Sequence, residues 1–194
     1  KTIGSGGTWT QQAKLVSPHA SYNDQFGLSV SVSGDYAIVG AYREDPAFPI
    51  PSGGQTILTD AGAAYIYVRS GTTWTLQQQL TASDAEQYDN FGISVAIKGS
   101  DVVVGAPLED PGGPSSAGSA YVFTRSGTSW SQQAKLTASS GGTYDYFGDR
   151  VAIDGNYIVV GAFFANIQSY VFGSGFVTLT DAGSAYIFMR SGTS

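Results

Sequence analysis

The chain has 194 residues, enough to bury roughly 70% of its unfolded surface in a core. It has no cysteine, which excludes a disulfide framework, a thiolate metal site and a cysteine nucleophile. Charged residues make up only 12% and the net charge is -6, a balance that argues against nucleic acid and anionic membrane as partners.

One pattern runs through the chain three times, and such repetition decides the architecture before any single motif does. The first element is residues 8–15, TWTQQAKL, read as a strand. A loop over 16–25 leads into FGLSVSV and, through Ser-Gly-Asp-Tyr, into AIVGA, two strands joined by a tight hairpin. An insertion over 42–62 precedes AAYIYVRSGT and TWTLQQQL, a second hairpin that turns at Ser-Gly-Thr. The order returns as NFGISVAI, VVVGA, SAYVFTRSGT and SWSQQAKL, and again as YFGDRVAI, IVVGA and SAYIFMRSGT.

Within FGISVAI, Phe91, Ile93, Val95 and Ile97 share one face while Gly92, Ser94 and Ala96 share the other, the two-residue period of a strand. The run 102–106 is apolar throughout, as befits a strand covered on both faces. Four antiparallel strands per repeat make a blade, and radial repetition of blades is the β-propeller. The expected fold class is therefore all-β, with blade 1 at 16–80, blade 2 at 81–136, blade 3 at 137–194 and an N-terminal outer strand within 1–15. No apolar run approaches the roughly 20 residues of a membrane span, so no membrane insertion is expected.

Phe-Gly recurs at 26, 91 and 147, spacings of 65 and 56 residues, which places an insertion between the second and third strands of blades 1 and 3. Both insertions end in Leu-Thr-Asp-Ala-Gly, and this shared sequence predicts an ordered β-arm. The strand count leaves a mismatch: residues 8–15 match the outer strand of a preceding blade, whereas blade 3 stops after its third strand at 185–190. A closed ring of three blades would be strained, since familiar propellers have about four to eight. The N-terminal strand then completes the last blade of its own chain or of another copy, or the chain is a segment of a longer protein. Trp9, Ala13 and Leu15 would sit on the donated strand, and Ala185, Tyr186, Ile187 and Phe188 on the receiving edge. The expected partner is a second copy, in a homo-oligomer or fibre.

Phe-Gly followed by Val-Gly-Ala, with Val-Gly-Ala-Pro at 104–107 and Gly-Ser-Ala-Tyr-Val-Phe at 118–123, resembles the FG-GAP repeat of integrin α-subunit propellers and bacterial extracellular proteins. The resemblance covers essentially the whole chain. It implies propeller blades and a non-catalytic structural or adhesive module, extracellular or at the cell surface. Where the family binds calcium, it does so in an Asp-x-Asp-x-Asp-Gly loop between the first two strands of a blade. Here those loops are Ser-Gly-Asp-Tyr, Lys-Gly-Ser-Asp and Asp-Gly-Asn-Tyr, too poor in oxygen for the roughly six to eight ligands of calcium. No metal and no cofactor are expected.

Antiparallel order gathers the long loops on one face. There Tyr22, Asp24, Glu44, Asp45, Tyr88, Asp89, Glu109, Asp110, Tyr144 and Asp145 form a candidate site for a glycan, a cation or a protein. The competing readings are a solvated acidic face for the loop acids as a whole and, for Asp24, Asp89 and Asp145, hydrogen bonds to their own turns. Catalysis is not expected: the single histidine, His19, has no indicated triad partners, and Glu44-Asp45 and Glu109-Asp110 both precede a turn-forming proline. Trp9, Trp74 and Trp130 recur at one strand position, which marks them as framework rather than a sugar platform.

Overall fold

The computed structural model describes residues 7–50, 53–112 and 115–191. The start of the N-terminal segment and the last Gly-Thr of the third repeat lie outside the described residues. Blade 1 consists of β1 (Val30–Ser33), β2 (Tyr36–Ala41), an arm of β3 (Ala47–Pro49) and β4 (Gln55–Ile57), then β5 (Ala63–Ser70) and β6 (Thr73–Leu80). Blade 2 follows with β7 (Ser94–Lys98), β8 (Asp101–Ala106), β9 (Ser119–Ser126) and β10 (Ser129–Leu136). Blade 3 is β11 (Phe147–Asp154), β12 (Tyr157–Ala162), an arm of β13 (Ile167–Val171) and β14 (Gly175–Leu179), then β15 (Ser184–Met189). The sheets run β1-β2-β5-β6, β7-β8-β9-β10 and β11-β12-β15, antiparallel throughout, and the two insertions form two-stranded arms. These are β-propeller-type blades.

Local chemistry sets the hairpins. Gly34, Gly99 and Gly155 take the first place of two-residue turns with φ near +60°, the left-handed backbone that a primed hairpin turn requires and that glycine adopts without penalty. In β6 and β10 the register slips by one residue, leaving Gln77 and Gln133 unpaired in bulges. Each is the glutamine of its Trp-x-x-Gln motif. The bulge turns Gln77 toward the next blade, where its Oε1 accepts the indole N–H of Trp130 at 2.9 Å.

The blades stack face to face, and the repeat makes each interface a copy of the last. Ile38, Ala64, Ile66 and Leu80 of blade 1 pack in one cluster with Phe91, Val95, Ile97 and Phe123 of blade 2. Val103, Ala120 and Val122, on the opposite face of blade 2, pack with Phe147, Ile158, Val160 and Phe188 of blade 3. The motif glycines allow this approach. A Cβ on Gly40 would overlap the Gly92 carbonyl oxygen, and one on Gly105 would overlap that of Gly148. Ser29 and Ser94 donate their hydroxyls to the same two carbonyls, each at 2.7 Å.

Residues 7–15 carry no ladder within this chain, and Trp9 and Ala13 are exposed. An exposed segment can satisfy its backbone groups with water, so it forms a ladder where a sheet edge accepts it, and this one meets no edge in this chain. It lies instead across the face of blade 1 opposite blade 2. Leu15 packs there with Tyr65 and Tyr67, and the Tyr67 hydroxyl donates to the Val16 carbonyl at 2.8 Å.

Candidate functional site

The loop carboxylates divide: Asp24, Glu44, Asp89, Glu109 and Asp145 are buried, while Asp45, Asp84, Glu86, Asp110 and Asp181 are exposed. Asp24, Asp89 and Asp145 each accept the backbone N–H three residues earlier, from Ser21 at 2.5 Å, Glu86 at 2.7 Å and Gly142 at 2.6 Å. They close tight turns whose next-door residues Asn23, Tyr88 and Tyr144 have positive φ. Burial pushes the Asp89 carboxyl up to about 7; the Glu86 N–H opposes the rise, and the charges of Glu109, Glu86 and Asp84 reinforce it.

The two Glu-Asp-Pro pairs divide their labour. Asp45 and Asp110 stay exposed and accept the backbone N–H of Asp60 and Ser116, tying the returning end of the long loop to its start. The glutamates turn inward. Glu109 accepts the Ser119 hydroxyl at 2.5 Å and pairs with Lys135 at 2.6 Å, and Lys135 also reaches Asp84 at 2.7 Å, where Tyr121 donates at 2.9 Å. One cation thus joins a loop, an outer strand and the loop that enters the blade. Burial works to lower Lys135, but its bonds to Asp84 and Glu109 win and raise it. Burial likewise works to raise Asp84, and its bonds to Lys135 and Tyr121 hold it below the ordinary carboxylate value.

Blade 1 keeps the glutamate and the tyrosine of this constellation but not its cation. Gln79 stands where Lys135 stands, and His19 where Asp84 stands. Glu44 accepts from the Tyr65 hydroxyl and from Gln79 Nε2 at 2.8 Å, while its Oε2 has no partner. Burial raises the Glu44 carboxyl, the Tyr65 bond counters it, and Asp24 adds to the rise. Burial also lifts the Tyr65 and Tyr121 hydroxyls far above the tyrosine range, first among several causes. These groups act as internal clasps of their own blades, with Glu44 Oε2 and Asp145 Oδ1 left unpartnered among the described residues. Among the described residues, no group of three or more His, Asp or Glu side chains is arranged to hold a metal ion. Of the sequence-predicted ligand residues, the ones left facing solvent are Tyr22, Tyr88, Tyr144, Asp45 and Asp110.

The other predicted set, the assembly residues, falls at the two ends of the stack. Ala185, Tyr186, Ile187 and Phe188 lie in β15, which among the described residues pairs with β12 alone. Trp9, Ala13 and Leu15 lie on the segment that lacks a ladder. The FG-GAP repeat profile matches residues 9–67, 74–123 and 130–188, three consecutive units that take in all three stacked blades. The chain belongs to the FG-GAP repeat family. No curated protein matches it.

Position by position, the FG-GAP units show what the end blades leave uncovered. Ile38 and Ile66 are 0% exposed beneath blade 2, and their equivalents Val103 and Val122 are 0% and 6% exposed beneath blade 3. The third pair, Val159 and Ile187, is 40% and 71% exposed. At the opposite end, Val30 and Val32 are each 66% exposed, whereas Val95 and Ile97 are 8% and 4%. Sequence reasoning missed Gln77, Gln133 and Lys135; the recurrence of Trp-x-x-Gln held the signal for the first two. It also missed the aromatic group Tyr146, Phe163 and Phe164, which replaces non-aromatic residues of blade 2.

Proposed function

We propose that the chain is a non-catalytic structural or adhesive module that acts outside the cell and assembles with further copies of itself by strand complementation. The observation that carries this reading is a segment with a strand's sequence and no ladder. Among the described residues, 8–15 match β6 and β10 in sequence and carry no ladder, and β15 pairs with β12 alone. Such a segment favours pairing with a sheet edge of another copy, since main-chain bonds supply the affinity and alternate side chains the register. FG-GAP repeats are typically extracellular, and no helix of the described residues is long and apolar enough to cross a membrane.

Deleting residues 1–15 tests the proposal. The truncated chain is expected to stay monomeric at concentrations where the parent associates, read by sedimentation velocity. Unchanged association would refute strand donation.

A second reading, glycan binding by the long loops, is favoured by one observation. Tyr146 stacks on Phe163 at 5.7 Å and 28°, with Phe164 and Tyr144 beside them, so blade 3 offers an exposed aromatic platform absent from blade 2. Calorimetric titration with an oligosaccharide panel tests it, with Tyr146→Ala expected to remove any binding seen.

A further inference from the structure

Residues 155–180 contain no Asp, Glu, Lys or Arg, in a chain where such residues make up 12% and leave a net charge of -6. The outer part of that stretch is the arm of β13 and β14, which packs substantially on no other strand among the described residues. Its freedom belongs to the insertion and not to its place in the last blade. The arm of blade 1 stands equally free although blade 2 adjoins that blade, and its Gln55, Thr56 and Ile57 are all exposed.

Polarity falls step by step from the base of the blade 3 arm to its turn. At the base, Asn166 Oδ1 accepts the N–H of Asp181 at 2.9 Å. On one face of the ribbon Gln168 pairs with Thr178, and their side chains share a hydrogen bond of 2.7 Å. The next rung on that face pairs Tyr170 with Phe176, their rings 5.5 Å apart and edge to face, 64% and 75% exposed. Beyond them Phe172 opens the turn, 96% exposed. The opposite face carries Val171 beside Gly175 next to the turn, with Val177 and Leu179 behind. In blade 1 the outermost rung pairs Pro49 with Gln55, so the aromatic tip is peculiar to blade 3.

We propose that this tip docks the protein on the surface of a zwitterionic lipid bilayer, by entering the boundary between head groups and acyl chains. Large aromatic side chains held in water are unfavourable, and a patch of them marks a contact surface. A groove on a protein covers one face of a two-stranded ribbon, whereas both faces are apolar next to this turn and a liquid surrounds both. The order from amide and hydroxyl through tyrosine to phenylalanine follows the fall in polarity across a bilayer interface, where aromatic side chains concentrate. From Tyr170 to Phe172 the strand advances about 7 Å, within the roughly 5–10 Å to which interfacial segments sink.

The backbone allows that depth and no more. The two strands pair with each other up to the turn, and the Ser174 N–H donates to the Val171 carbonyl at 3.0 Å, while the outer edges of the ribbon still need water. No span is involved, and the apolar runs remain far short of a crossing. With no cation on the arm and an acidic body behind it, nothing attracts the tip to anionic lipid. The contact is separate from self-association and from the aromatic platform at Tyr146.

Flotation with phosphatidylcholine vesicles tests the proposal on the full chain, on Phe172→Ser and, as a control in the other arm, on Ile57→Ser. Both side chains are exposed, so both variants are expected to keep the parent's circular dichroism, melting temperature and lipid-free sedimentation profile. The parent and Ile57→Ser should float with the vesicles to the same extent at about 0.1 and 0.5 M salt, since no ion pair is involved. Phe172→Ser should partition about tenfold less or weaker, as for the loss of one buried phenylalanine. Replacing about a third of the lipid by phosphatidylserine should weaken binding of the parent. The proposal is overturned if the parent does not float on the zwitterionic vesicles, if Phe172→Ser floats as well as the parent, or if flotation requires phosphatidylserine. It is also overturned if Phe172→Ser loses self-association in the absence of lipid, because the tip is then covered by a second copy.

Discussion

Asp89 and the motif glycines show how much single residues carry. Asp89 is buried with its carboxyl pushed up to about 7, against an unfolded value near 4, so the folded state binds the proton more tightly than the unfolded one. Its contribution to stability is complete below about pH 4 and is lost as pH rises toward 7, by an amount on the order of 4 kcal/mol. Asp89→Asn keeps an acceptor for the Glu86 N–H and removes the titration. The stability gap between variant and parent, from urea unfolding at several pH values, is therefore expected to shift in the variant's favour between pH 4 and 7 and to stay flat above. That a loop carboxylate would be buried was not legible in the sequence. The groups that enclose Glu44 and Glu109, namely Tyr65, Gln79, Ser119 and Lys135, lie on strands some distance along the chain, so composition shows the acid but not its enclosure. Turn capping by Asp24, Asp89 and Asp145 was legible as one of two readings, because a short-range hydrogen bond needs only neighbours.

The blade explains why the glycine of Val-Gly-Ala recurs and where it ceases to matter. Gly105→Ala forces a methyl group into the Gly148 carbonyl and should cost about 3 kcal/mol or more, since backbone cannot step aside as a flexible side chain can. Gly161→Ala has ordinary space around it and should change monomer stability by no more than about 1 kcal/mol, in the stabilising direction expected for alanine in a strand. Urea denaturation of the two variants gives the comparison. Strand order, hairpins and the two arms were readable beforehand, because a period of two, Ser-Gly turns and a repeated Leu-Thr-Asp-Ala-Gly are local signals. The reason for Phe-Gly and Val-Gly-Ala was not, since it lies in the contact between successive blades. Residues 8–15 mark the limit of local reading: they have a strand's sequence, yet a strand forms only where an edge accepts it.

At the scale of the whole molecule, the three FG-GAP blades meet at two interfaces built from equivalent positions. On the proposed self-association, the outward faces of blades 1 and 3 are different surfaces and would meet head to tail rather than as a symmetric dimer. Val32→Glu would spoil the leading face, and Gly161→Val the trailing one; both sites are open in the free chain. The most direct test is sedimentation velocity on the parent, on each variant alone, and on an equal mixture of the two. The account predicts that the parent associates, that each variant alone stays monomeric, and that the mixture forms a one-to-one dimer through the single intact pair of faces. A mixture that sediments as the sum of its separate parts, or a parent that stays monomeric up to millimolar concentration, would contradict it.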